Sequence, residues 1–142
     1  MDWKAEAMEK LRQLGAMEVS LEAIPLEMER LELDARKIKT SNPGKVVSGG
    51  GGGRQEDALL SNIVRRQELS NRLRQAMCWV DMVKKALSAL TEDEQVILRR
   101  LYVDRQKGAV DRLCFDLGLE QSSVYRRRDQ ALRRFTMALY VA

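Results

Sequence analysis

The sequence predicts an all-α protein that consists of a long antiparallel helical hairpin, similar to a coiled coil, and a C-terminal helix-turn-helix head. Two long segments carry apolar residues at alternating spacings of four and three, which is the coiled-coil pattern. A stretch with proline and a glycine run separates them. Near the C-terminus, two shorter amphipathic segments meet at one glycine. These features predict a hairpin arm over 1–90, with a flexible Gly-rich loop over 40–55, and a head over 91–142.

The first segment, from Met1 to about Lys39, is rich in residues that favour helices. Pro25 interrupts it, and because proline has no N–H to donate to the carbonyl of Leu21, it should kink the helix or begin a new one. We therefore expect a short helix over 3–13, a break over 15–24 and a second helix that ends near Lys39. The seam of this segment is formed by Met17, Leu21, Ile24, Met28, Leu31, Ala35 and Ile38.

The stretch from Thr40 to Gln55, TSNPGKVVSGGGGGRQ, has no apolar periodicity and is expected to be a flexible loop. Its glycine run is not a nucleotide-binding P-loop, because Arg54 and Gln55 follow it where that motif has Lys and Ser or Thr. A phosphate-binding role is the less favoured alternative to a solvated linker.

A second long helix is expected from about Glu56 to Leu90, and at 1.5 Å per residue it would be roughly 50 Å long. The first segment folded back along it has a similar length, so an antiparallel hairpin is expected. Trp79 lies beside the seam as a packing residue, with base stacking as the less favoured alternative. Near the start of this helix, polar residues occupy positions of the apolar seam: Asn62, Arg66 and Ser70. The seam itself is formed by Leu69, Leu73, Ala76, Val80, Val83, Leu87 and Leu90.

The head is expected to begin with a helix whose N-cap is Thr91. Glu94 stands three residues later, which is the capping-box pattern, and acidic residues occupy the first turn. A loop over 104–108 should follow this helix. Its core-facing residues are Val96, Ile97, Leu101 and Tyr102.

The segment from Gly108 to Phe135 predicts the helix-turn-helix. Gly118 ends the first of its helices in a left-handed conformation, and the second opens at Gln121. The expected core residues of the first helix are Val110, Leu113, Cys114 and Leu117, and those of the second are Val124, Ala131, Phe135 and Ala138. The opposite face of the second helix carries Ser122, Arg126, Asp129 and Arg133.

Charge and composition favour a nucleic-acid partner and exclude several classes of chemistry. The chain has a net charge of +4, with Lys+Arg 25 and Asp+Glu 21, and five arginines against one aspartate lie between Gln121 and Phe135. It contains no histidine, which excludes His-based catalysis and a His-containing zinc site. We therefore expect no enzyme activity, no cofactor and no metal. Cys78 and Cys114 lack a CxxC spacing and are expected to be small buried hydrophobic residues. Without a secretory signal or an apolar run that could span a bilayer, a cytoplasmic protein is expected.

A family resemblance adds to this interpretation. The spacing of Leu113-Cys114, Leu117-Gly118-Leu119, Val124, Ala131-Leu132 and Arg133-Arg134 resembles region four of bacterial sigma factors, which reads a promoter element. The longer run from Leu90 to Leu139 resembles phage late-transcription regulators of the ArpU/RinA type. The chain departs from the sigma-factor pattern at two positions, where Ala109 stands for Thr and Glu120 stands for Ser or Thr.

The resemblance implies a sequence-specific transcription regulator, encoded by a phage or prophage, that binds double-stranded DNA. RNA polymerase is a further candidate partner. Matched to the family pattern, the base-reading residues are Gln121, Ser122, Tyr125 and Arg126. Gln can pair with adenine, Arg with guanine, and Tyr can pack on a thymine methyl. The residues expected to contact DNA phosphates are Ser123, Arg127, Arg128, Arg133 and Arg134.

Two other functions remain open at this point: a small terminase-like subunit for DNA packaging, and a coiled-coil scaffold without DNA binding. Several of the arginines could also simply be solvated or pair with Asp129 and Asp111. A homodimer through the helical arm is expected, because apolar residues that lie off both seams would otherwise be exposed to solvent. Light scattering would detect this dimer. These off-seam residues are Met8, Leu11, Leu14, Leu33, Met77, Trp79 and Met82.

Overall fold

The computed structural model describes residues 2–40 and 51–141, and all of its regular elements are helical. No strand occurs in these two stretches, so the all-α class expected from the sequence is confirmed. The elements are α1 (Trp3–Thr40), α2 (Gly51–Ser88), α3 (Glu92–Leu98), a π-helical segment (Arg99–Val103), α4 (Ala109–Leu117) and α5 (Gln121–Val141).

The expected break in the first segment is wrong, because α1 continues from Trp3 to Thr40 through Pro25. The proline costs the carbonyl of Leu21 its helical hydrogen-bond partner. Pro25 itself is exposed and Leu21 is only partly buried, so water can reach this turn. The proline therefore removes one backbone hydrogen bond without ending the helix.

The second long helix begins earlier than the sequence predicts. α2 starts at Gly51, so Gly51–Gln55 is helical, and Thr40 is helical as the last residue of α1. The loop expected over 40–55 is therefore wrong at both of its ends, and its remaining part, 41–50, lies outside the described residues. The side chain of Gln55 donates a hydrogen bond of 2.8 Å to the carbonyl of Ile38, which helps to explain why the helix extends to this point. At its other end α2 stops at Ser88, two residues before the expected Leu90.

The chain forms two compact units whose boundaries differ from the division at residue 90 that the sequence suggests. One unit contains Met1–Val19 together with Cys78–Ala142, and the other contains Ser20–Met77. The first turns of α1 and the last turns of α2 thus belong to the same unit as α3, α4 and α5.

Within the unit Ser20–Met77, the two helical segments run in opposite directions. Arg65 pairs with Glu27 at 3.2 Å, and the side chain of Asn62 donates to the carbonyl of Leu31 at 2.8 Å, so residues later in α2 meet residues earlier in α1. Asn62 is buried, and its side-chain oxygen accepts a hydrogen bond of 2.8 Å from Arg66. Both polar side-chain atoms of Asn62, which lies in the predicted seam, therefore have a hydrogen-bond partner.

The larger unit buries residues that the sequence analysis assigns to a dimer contact. Leu11 and Leu14 are each 0% exposed within the single chain, so they need no second copy as a cover. These two leucines therefore do not support a homodimer, while Leu33, Met77 and Met82 are about half exposed. The dimer itself stays a prediction.

Gly15 lies inside α1, where the helix approaches the backbone of the π-helical segment. A Cβ atom at this position would overlap the carbonyl oxygen of Val103. Glycine is therefore required here for close packing of two backbones, and not as the helix break that the sequence suggests. The π-helical segment places Tyr102 and Val103 in the core beside this contact.

The two cysteines differ in their surroundings. Cys78 is exposed, which contradicts the expectation that it is buried, whereas Cys114 is partly buried and packs on the core. Ala76 and Val80 are buried in the seam of α2. Cys78 lies midway between them in the sequence and therefore points to the other side of the helix. Within 2–40 and 51–141, no helix is long and apolar enough to cross a membrane.

Candidate nucleic-acid interface

α3 begins with the capping box that the sequence predicts. The Thr91 hydroxyl accepts a hydrogen bond of 3.3 Å from the backbone N–H of Glu94, and Oε1 of Glu94 accepts one of 3.2 Å from the N–H of Thr91. The Glu94 carboxylate is buried, and its Oε1 also pairs with Arg134 at 2.7 Å. This contact ties the start of α3 to the middle of α5.

A small apolar cluster fixes α4 and the start of α5 against α3. Its three central residues, Ile97, Leu113 and Val124, come from the three helices and are each 0% exposed. The predicted core positions Leu113 in α4 and Val124 in α5 are thereby confirmed. The residues packed around the cluster are Val96, Leu101, Cys114, Leu117 and Leu119.

The turn between α4 and α5 has the conformation that the sequence predicts. Gly118 has φ 65° and ψ 35°, in the left-handed region, and the N–H of Leu119 donates to the carbonyl of Cys114 at 3.0 Å. α5 then begins at Gln121. Gly108, with φ 74°, is a second left-handed glycine that precedes α4 and that the sequence analysis treats only as part of a loop. The signal for it was a glycine immediately before an amphipathic segment.

The four candidate base-reading residues lie together on the first two turns of α5. Gln121, Ser122, Tyr125 and Arg126 are all exposed, whereas Val124 between them is fully buried. Across the two stretches that the structure describes, the Arg126 guanidinium pairs with no acid, and it donates to a neutral group, the hydroxyl of Ser123, at 3.3 Å. The arrangement presents an amide, a hydroxyl, a phenol and a guanidinium to solvent from one rigid helix. These groups can donate and accept hydrogen bonds in the way that base edges require.

Two of the candidate phosphate-binding arginines pair with acids on α3. Arg127 lies 3.5 Å from Asp93, and both side chains are about half exposed, at 45% and 56%. Arg134 pairs instead with Glu94, whose side chain is only 8% exposed. The first pair is a surface pair that solvent screens, while the second neutralises a buried carboxylate.

Arg128 has the most extensive set of internal contacts among these arginines. Its Nε and Nη2 both donate to Oδ1 of Asp129, at 3.1 and 2.9 Å, and its guanidinium lies 5.0 Å from the centre of the Tyr125 ring. Burial raises the pKa of Asp129, but hydrogen bonds from Lys4 and Arg128 lower it by more, so the net pKa lies below its usual value. Burial also raises the pKa of Tyr102, although the positive charge of Arg128 acts in the opposite direction.

Arg126 and Arg133 are the two arginines of α5 that pair with no acidic residue in the described part of the chain. Arg133 is exposed and lines a groove of about 300 Å³ together with Trp3, Thr136 and Met137. Trp3, at the start of α1, is itself 40% exposed. The groove thus combines one cation with two large apolar side chains.

The first turns of α1 contact α5 and the π-helical segment, which the sequence does not predict. Lys4 pairs with Asp129 at 3.1 Å, Lys10 lies 5.7 Å from the ring centre of Tyr140, and Arg12 lies 5.9 Å from that of Tyr102. No local pattern could reveal these contacts, because more than 85 residues separate the partners of each pair. Phe115, which is 87% exposed on the outer face of α4, is a further surface residue without a predicted role.

Comparisons of the chain with protein-family profiles, curated proteins and solved structures found no match. Over the described stretches, no group of three or more His, Cys, Asp or Glu side chains could hold a metal ion. Any function assigned to this chain therefore depends on its own residues and their geometry.

Proposed function

We propose that the chain is a sequence-specific DNA-binding transcription regulator. In this proposal α4 and α5 form a helix-turn-helix, and the first turns of α5 enter the major groove of duplex DNA. The observation that carries it is the exposed set of Gln121, Ser122, Tyr125 and Arg126 on a helix whose opposite face is fixed in the core. A scaffold function would leave this combination of polar groups on a rigid helix without a role.

The local geometry supports this assignment. The two helices are joined across a left-handed glycine, Gly118, and the cluster of Ile97, Leu113 and Val124 fixes α5 at the level of its second turn. A helix that enters the major groove must present its N-terminal residues with little freedom, because hydrogen bonds to base edges require defined positions. The buried Val124 restricts the movement of the exposed residues on both sides of it.

The charge distribution also supports a polyanionic partner, with different roles for different arginines. Arg126 and Arg133 lack acidic partners among the described residues, so their charges can meet DNA directly. Arg127 can exchange Asp93 for a phosphate at little cost, because an exposed ion pair is worth at most about 1 kcal/mol. Arg134 is the weaker candidate for a phosphate contact, because its release from Glu94 would leave a buried carboxylate without its cationic partner.

The first test is the salt dependence of binding to duplex DNA. Neutralised phosphates release counterions, so affinity should fall steeply with salt, and Arg127→Ala should reduce the slope of log K against log salt by about 0.9. Arg74→Ala is the matched control, because Arg74 is also exposed but lies on α2 in the unit Ser20–Met77. An affinity that is the same at low and moderate salt would overturn the proposal.

The second test concerns base reading. Arg126→Ala should lose about 1 to 3 kcal/mol of discrimination at one base pair, because a bidentate contact to guanine would be removed, and should affect non-specific affinity less. Selection of binding sites from random duplex DNA measures this change. Gln130→Ala serves as the control, since Gln130 is exposed on α5 one turn further along. If the Arg126→Ala protein selects the wild-type site with unchanged preference, Arg126 does not read a base.

A further inference from the structure

Arg128 differs from the neighbouring arginines of α5 in how little of it is available to a ligand. Its side chain is 23% exposed, compared with 45% for Arg127 and 61% for Arg134. Asp129 engages its Nε and Nη2, and Asp129 is itself held by Lys4 at 3.1 Å. The guanidinium is therefore fixed from the side of α1 as well as from its own helix.

The same guanidinium lies over the ring of one tyrosine, and its charge acts on a second. Tyr125, one turn earlier on α5, has its ring centre 5.0 Å from the guanidinium carbon, which is within the range of a cation–π contact. Tyr102, on the π-helical segment, is buried, and burial raises its pKa by more than the positive charge of Arg128 lowers it. Arg12 lies on the ring of Tyr102 at 5.9 Å. Arg128 thus makes its cation–π contact with the tyrosine at the surface, Tyr125.

These contacts argue against a phosphate at Arg128. Its Nε and one Nη2 N–H already donate to Asp129, and a phosphate bound to the remaining donors would lie near the Asp129 carboxylate. Hydrogen bonds from Lys4 and Arg128 hold the pKa of Asp129 below its usual value in spite of burial, so this carboxylate is ionised at neutral pH. The ionised Asp129 carboxylate and a phosphate bound beside it would repel each other.

From this geometry we infer that Arg128 is a positioning residue that holds the ring of Tyr125 on the base-reading face of α5. The inference rests on the proposed function and replaces the expected role of Arg128 as a phosphate ligand. Tyr125 is 37% exposed, so one part of its ring packs on the protein while the rest can meet a base. Without Arg128 the ring would lose a planar cationic neighbour that limits its rotation.

The experiment compares Arg128→Gln with Arg127→Gln in the full chain. Each protein is titrated with its selected DNA site over a series of salt concentrations, and with the same site altered at the base pair that Tyr125→Ala affects. Arg128→Gln should keep the wild-type salt slope and lose roughly fivefold of the discrimination at that base pair, as expected for one cation–π contact. Arg127→Gln should lower the slope by about 0.9 and keep the discrimination.

Discrimination is a ratio of two affinities measured on one sample, so a partial loss of folded protein cancels from it. In the double variant Tyr125→Ala with Arg128→Gln, discrimination should be no lower than in Tyr125→Ala alone, because both changes remove the same contact. A reduced slope with intact discrimination in Arg128→Gln would make Arg128 a phosphate ligand and overturn the inference. If the wild-type chain does not bind DNA at any salt concentration, the proposed function fails and the inference fails with it.

Discussion

We expect the segment 91–142, when produced alone, to lack a cooperative unfolding transition. The cluster of Ile97, Leu113 and Val124 would remain, but Leu132 and Phe135 are also fully buried and lie outside it. Contacts from α1 and α2, which belong to the same compact unit, would be missing. A chain of about 50 residues is marginal even with its full core, so this loss should be decisive. Thermal melting followed by circular dichroism, together with the dispersion of amide signals in NMR, measures the outcome.

The matched control keeps the whole compact unit. A single chain that joins 1–19 to 78–142 through a flexible Gly/Ser linker retains the residues grouped with α3, α4 and α5. It should melt cooperatively and, if the proposed function is right, bind DNA. If the segment 91–142 instead unfolds cooperatively at the melting temperature of the full chain, the first turns of α1 are dispensable for the head.

The second large effect is expected at Gly15. Its Cβ position coincides with the backbone carbonyl of Val103, and a backbone atom cannot move aside as the end of a side chain can. Gly15→Leu should therefore push α1 away from the π-helical segment and lower the free energy of unfolding by more than about 3 kcal/mol. Urea unfolding measures the change in the free energy of unfolding. If the slope of this free energy against urea concentration is the same in both proteins, the substitution changed stability alone.

Gly53→Leu is the control for this substitution. Gly53 is also helical, in α2, but a Cβ there meets no atom within 4 Å. Leucine favours a helix more than glycine does, so this variant should be slightly more stable than the wild type, by roughly 0.5 to 1 kcal/mol. Equal destabilisation by the two substitutions would mean that the close approach at Gly15 is not what demands glycine.

The start of α1 supports the fold of the head and is not placed in the proposed DNA contact. Lys4, Arg12 and Gly15 all contact the π-helical segment or α5, although they lie near the start of the chain. Substitutions there should weaken DNA binding through loss of the folded head and should leave the ratio of affinities for two sites unchanged, except where they release Arg128. Loss of binding in such variants is thus not evidence of a DNA contact.

Several features of the head could be predicted from the sequence, because each depends on residues close together in the chain. Thr91 and Glu94 form the predicted capping box, and Gly118 adopts the predicted left-handed conformation before α5 begins at Gln121. Helical spacing also placed Val124 in the core and its neighbours at the surface. Hydrogen bonds across three residues and a period of 3.6 are local properties that a sequence displays directly.

The partners of the charged residues could not be predicted in the same way. Arg127 and Arg134 belong to one helix and carry the same charge, yet one meets an exposed acid and the other a buried acid. Composition showed that α5 is basic, but it did not show which of its arginines are already engaged. That distinction depends on how α3 packs on α5, which places Asp93 and Glu94 opposite different turns.

The sequence by itself determined the all-α class, the helix termini at Thr91 and Gly118, and the face of α5 that meets solvent. Only the tertiary structure decided that α1 passes through Pro25, that Gly15 is a site of backbone contact, and that Lys4 pairs with Asp129, the partner of Arg128. The physical reason is that a cap, a left-handed glycine or an amphipathic period depends on neighbours in the chain. Close packing and the choice of a charge partner depend on which distant helices meet.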